Sequence, residues 1–176
     1  MKKLLYVLLA AALMISVTAC GGDKTQSADN DNQAEPLPAA EATQEKISED
    51  FGFKMVPPEA AEGAQWSVVD ECIGQLTFKL NGQSVCFRIT TDEAPEGEAA
   101  ALEMLKTVSE INEELAESQS GNVGDMNAYV FFNSGKSGAA IWYDEDGTIY
   151  TVSVDKKASA DSLLELAEQL STPATE

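Results

Sequence analysis

The chain has 176 residues, with 30 acidic side chains against 11 basic ones, a net charge of −19 and no histidine. Without histidine, Ser-His-Asp and Cys-His catalytic arrangements cannot be assembled from this chain, and the usual nitrogen-and-sulfur zinc sites are excluded. So strong an acidic excess argues against nucleic acid, whose binding depends on Lys and Arg neutralising phosphates, and against lying flat on an anionic membrane.

The first twenty residues read "MKKLLYVLLAAALMISVTAC". Lys2 and Lys3 form a positive head, and residues 4–17 carry no charge. That apolar run is shorter than the roughly 20 residues of a membrane span. With small residues at its end it has the form of a secretory signal peptide, so residues 1–19 are set apart from the fold. The closing "VTAC" resembles the bacterial lipobox, in which an aliphatic residue and two small ones precede an obligatory cysteine. The resemblance implies cleavage between Ala19 and Cys20 and a lipid on the Cys20 sulfur. Such an anchor holds through about 0.8 kcal/mol per buried methylene once two or more chains are attached. It would place the chain on the outer side of the cytoplasmic membrane.

Residues 20–42 offer almost nothing to bury and read as an acidic disordered tether. Residues 43–171 are expected to form a single domain, and 172–176 a disordered tail. In "TQEKISEDFGF" Ile47 and Phe51 share a helix face, and Gly52 suits a left-handed cap. Pro57 and Pro58 then force an extended segment.

"IGQLTFKLNGQSVCFRIT" predicts a hairpin turning at Asn81-Gly82, where both residues need positive φ. Its register pairs Leu80 with Gln83, Phe78 with Val85, Leu76 with Phe87 and Gly74 with Ile89, all on the core side. Gln75, Thr77 and Lys79 lie on the other face, opposite Arg88, Cys86 and Ser84. An exported chain with two further cysteines invites a disulfide. Cys72 and Cys86 fall on opposite faces of a regular hairpin, however, so no bridge is expected unless a bulge near Gly74 changes the parity.

"EGEAAALEMLKTVSEINEELAESQSG" carries Leu102, Leu105, Val108, Ile111 and Leu115 at helical spacing. It predicts a long amphipathic helix over about 98–118, with Gly121 beyond its end. Three strands follow, "NAYVFFN", "GAAIWYD" and "TIYTVSVD". "SADSLLELAEQL" then predicts a final helix with Ser159 as N-cap and Leu163, Leu166, Ala167 and Leu170 buried. The fold class is α+β, an antiparallel sheet built from hairpins with the long helix and the C-terminal helix packed on it.

Two loops have partial likeness to ligand motifs. "YDEDGTIY" matches part of a calcium loop around Gly147, with Asp144 and Asp146 placed correctly, but Trp142 stands at the first ligand position. It reads as an acidic hairpin loop. "NSGKSGAA" lacks the first glycine of a phosphate loop and reads as a turn. Among the aromatic residues most are expected in the core, with some left to line a groove.

Segments "FGFKMVPPEA", "GQLTFKLNGQSVCFRIT", "AAIWYDEDGTIYTVS" and "SADSLLELAEQL" together resemble an uncharacterised domain. That domain of unknown function occurs in the extracellular parts of lipoproteins and anti-sigma factors of Gram-positive bacteria. The resemblance spans residues 47–170 and rests on Phe87 and Arg88 and on Trp142, Gly147 and Tyr150. It implies an α+β fold with an antiparallel sheet, transfers no catalytic residues, and points to surface sensing or binding. The expected function is a lipid-anchored, non-catalytic binding or interaction module of the cell envelope. No cofactor is expected. The partners would be the membrane through the lipid, and an envelope protein or a small ligand. The alternative is a carboxylate-based hydrolase or a calcium-dependent envelope protein.

Overall fold

The computed structural model describes residues 39–109, 111 and 114–171. The leader, Cys20, the expected tether up to residue 38 and the tail 172–176 lie outside the described residues. Strand β1 (Ala39–Ala42) comes first, followed by helix α1 (Gln44–Phe51) and strands β2 (Glu62–Val69), β3 (Ile73–Leu80) and β4 (Gln83–Thr91). Helix α2 (Glu98–Val108) leads to strands β5 (Glu117–Val123), β6 (Met126–Phe132), β7 (Gly138–Tyr143) and β8 (Thr148–Val154), and helix α3 (Ala160–Ser171) closes the fold. The eight strands form one sheet in the order β1-β2-β3-β4-β8-β7-β6-β5, and every neighbouring pair is antiparallel. The described residues all fall within one compact unit.

Local chemistry accounts for most elements. Thr43 caps α1 by accepting from the Lys46 backbone N–H, and Gly52 ends it in the left-handed region. Ser159 Oγ accepts the Ser162 N–H at the start of α3, which buries Leu163, Leu166, Ala167 and Leu170 as expected. The β3–β4 hairpin turns at Asn81 (φ 52°) and Gly82 (φ 76°), and its register is the expected one throughout. That ladder runs without a bulge, so Cys72 and Cys86 keep their separate places and no disulfide joins them.

Two expectations are corrected. The last four residues assigned to the tether, Ala39–Ala42, form β1 and pair with Trp66–Val69 of β2. The helix expected over 98–118 stops at Val108, and Gly121 lies inside β5, opposite Ala128. The Ser109 Oγ and backbone N–H both donate to the Leu105 carbonyl, at 2.6 and 2.8 Å. The Val108 carbonyl accepts Arg88 Nη1 at 2.6 Å. Carbonyls of a last helical turn have no partner within the helix. Here a buried side chain from β4 supplies one, which no local pattern announces.

The first face of the sheet carries the main core. Leu76, Phe78, Val85, Phe87, Ile89, Trp142, Val152 and Val154 pack there with α3 residues, Ile47 and Met55. Phe87, Trp142 and Tyr150 stack with centroids 5.9 and 5.6 Å apart, and Phe53 meets Tyr150 edge-on at 5.2 Å. Gly138 permits the close approach of α3: a Cβ there would lie 2.8 Å from Ala158 Cβ and 3.0 Å from Leu163 Cδ1. On the second face α2 buries Ala101 and Leu105 against Phe131, Ala139, Ile141 and Ile149. The helix covers the β6–β7–β8 side, and its last turn reaches Val69 and Ile73 through Met104 and Val108, so the part of that face left open is the other end of β2, β3 and β4.

Candidate functional site

The open part of the second face is a groove of about 830 Å³, bordered by Ile111 on the side of α2. Strict alternation along the strands sets its floor. Register places Gln65, Thr77, Cys86 and Ser153 in one row across β2, β3, β4 and β8, and continues it to Ala139 on β7. Thr77, Cys86, Ser153 and Ala139 are small side chains in the middle of a sheet, so the surface dips where longer ones would fill it, and Gln65 stands exposed at the end of the row. A parallel row at the groove's rim runs through Lys79 and Ser84 to Asp155 and Ser137, the last two lying just past the β8 and β7 pairings.

Hydrogen bonding differs along the site. Asp155 Oδ1 accepts the Ser84 backbone N–H at 2.9 Å. The Cys86 thiol donates to Gln75 Oε1 at 3.4 Å, and that same oxygen accepts Arg88 Nε at 2.6 Å. Arg88 is 3% exposed, beneath the end of α2. Ser137 is 7% exposed, and its Oγ is buried with no hydrogen-bond partner among the described residues. A buried hydroxyl without a partner costs about 1–3 kcal/mol.

The other sequence candidates lie elsewhere. In the β7–β8 loop Asp144 Oδ1 accepts the N–H groups of Asp146 and Thr148, at 3.0 and 2.9 Å, and Tyr150 donates its O–H to Asp144 Oδ2 at 3.3 Å. The carboxylate therefore holds the turn together. Burial first, and then the Asp144 charge, push the Tyr150 phenol up to about 12. Among the described residues no group of three or more His, Cys, Asp or Glu side chains converges as a metal cage would require. "NSGKSGAA" is a turn: the Asn133 N–H bonds the Ser137 carbonyl and the Lys136 N–H bonds the Asn133 carbonyl. The aromatic residues are spent in the two cores. Among the described residues Phe78 is the aromatic that borders the groove, and it is buried in the first-face cluster.

Sequence reasoning put Thr77, Lys79, Ser84 and Cys86 on one face, and the structure brings them together. It missed Gln65, Ser137 and Ser153. The alternation of "TIYTVSV" already sets Thr151 and Ser153 opposite Tyr150 and Val152, and was the available signal for Ser153. Ser137 had none, because its partner rows depend on which strands become neighbours. Among the described residues no helix is long and apolar enough to cross a membrane. Comparison with protein-family models, with curated proteins and with solved structures finds no match to this chain.

Proposed function

We propose that the chain is a lipid-anchored cell-surface protein, held through Cys20 on the outer side of the cytoplasmic membrane, whose domain acts as a non-catalytic binding module of the envelope. The observation that carries the binding role is the groove on the second face. Its volume falls in the range of small-ligand sites, roughly 300–1,000 Å³, and its floor offers hydroxyl, amide and thiol groups rather than paired carboxylates. The leader ending in "VTAC" supports the anchor.

The anchor is tested by feeding producing cells an alkyne-tagged fatty acid. Label is expected on the wild-type chain and absent from Cys20→Ala. Label retained by that variant overturns the anchor. The groove is tested by Ser153→Trp, which fills it. In cells, photo-crosslinking from Thr77 is expected to give a discrete adduct in wild type that this variant loses. An adduct unchanged by the substitution rules out the groove as the site.

A further inference from the structure

The groove is the strongest candidate in the molecule, and the charges on its rim indicate what it holds. Among the described residues the charged side chains that line it are Lys79 and Asp155, and they are of opposite sign. Both are exposed. Among the described residues the ion pairs are Lys46–Asp50 and Lys106–Glu103, so Lys79 and Asp155 are not tied to each other. Lys79 stands across β3–β4 from Ser84, and Ser84 stands beside Asp155 on the next strand. Two inter-strand steps of about 4.8 Å separate their backbones by roughly 10 Å. Three extended residues span about 10 Å as well.

A ligand with a single negative charge would meet the Asp155 carboxylate, and one with a single positive charge would meet Lys79. A ligand carrying both charges at that separation satisfies each. Between and beside them lie the Ser84, Ser153 and Thr77 hydroxyls, which can donate to or accept from amides. Ser137 Oγ, buried and unpartnered, is next to Asp155 in the same row. Among the described residues no aromatic platform faces the groove to stack a sugar ring or an apolar ligand.

We infer that the groove binds a short peptide with free termini, its carboxylate toward Lys79, its ammonium toward Asp155, and a polar group of its backbone on Ser137 Oγ. This inference rests on the groove being the binding site proposed above. The test is calorimetric titration of the purified full-length chain in detergent with trialanine, its N-acetyl form and its C-terminal amide. Trialanine is expected to bind, with each capped form about two- to fivefold weaker, the size of an exposed ion pair. Lys79→Gln should bind trialanine and the amide equally. Asp155→Asn, which keeps an acceptor for the Ser84 N–H, should bind trialanine and the acetyl form equally. Ser137→Ala should weaken all three peptides about two- to tenfold, as loss of one hydrogen bond does. Lys106→Gln, on α2 away from the groove, should change nothing. Equal affinity for the three peptides, or no binding of any, overturns the peptide inference. The groove reading fails separately, if the Ser153→Trp adduct is unchanged.

Discussion

Single side chains decide more here than their number suggests. Tyr150 sits in the aromatic stack with its hydroxyl on Asp144, and its pKa is raised from about 10 in an unfolded chain to about 12. The sign follows by linkage. Between those values the unfolded chain has lost the phenolic proton and the folded chain keeps it, so stability falls as pH rises from 10 to 12 and is fully present below 10. Tyr150→Phe cannot make that loss. Urea unfolding at pH 9 and pH 11 should show the wild-type midpoint dropping relative to the variant's. Parallel behaviour of the two proteins would show that Tyr150 does not titrate across the transition. Arg88 is the second decisive residue, since its bond to the Val108 carbonyl fixes where α2 ends.

At the scale of elements, the β3–β4 hairpin, strands β6 to β8 and helices α1 and α3 were legible in the sequence because their causes are local. Asn81-Gly82, Ile47 and Phe51 with Gly52, and Ser159 with the spaced leucines each contain their own instruction. β5 was not legible. "ESQSGNV" is polar, mostly exposed and at the sheet edge, and Ile111 and Leu115 continue a helical spacing that the chain no longer follows. Both still pack against the cluster beneath α2. The hydrophobic pattern therefore told which residues are covered but not which backbone carries them. The groove was half legible for the same reason: one hairpin gives β3 and β4, whereas their meeting with β8 is a property of the whole sheet. The intact β3–β4 pleat also makes a redox prediction. A Cys72–Cys86 bridge would close a 15-residue loop worth about 3 kcal/mol. With no bridge between them, the urea midpoint should be the same with and without reductant, and a drop on reduction would show that the bridge forms.

For the whole molecule, charge is the dominant global property. A net charge of −19 makes the folded state repel itself, and salt screens that repulsion as the Debye length shrinks from about 30 Å at 0.01 M to about 8 Å at 0.15 M. Stability should therefore rise between those salt concentrations. A fall would mean that exposed lysine–carboxylate pairs such as Lys46–Asp50 and Lys106–Glu103 outweigh the global field, against their usual small worth.

The sheet order also governs how the chain comes together. β1 to β4 form one meander and β5 to β8 another, and their strands pair with each other along β4 and β8, from Val85↔Val154 to Thr91↔Thr148. Each half thus ends in a strand whose second neighbour is supplied by the other. On a growing chain the first half emerges with β4 unpaired on one side and waits for β8, the last strand made. Folding is then limited by contacts far apart in sequence, in the millisecond-to-second regime of such topologies. At high concentration an open β4 can be met by β8 of a second chain, so refolding concentrated protein should yield an exchanged dimer whose two sheets are each complete.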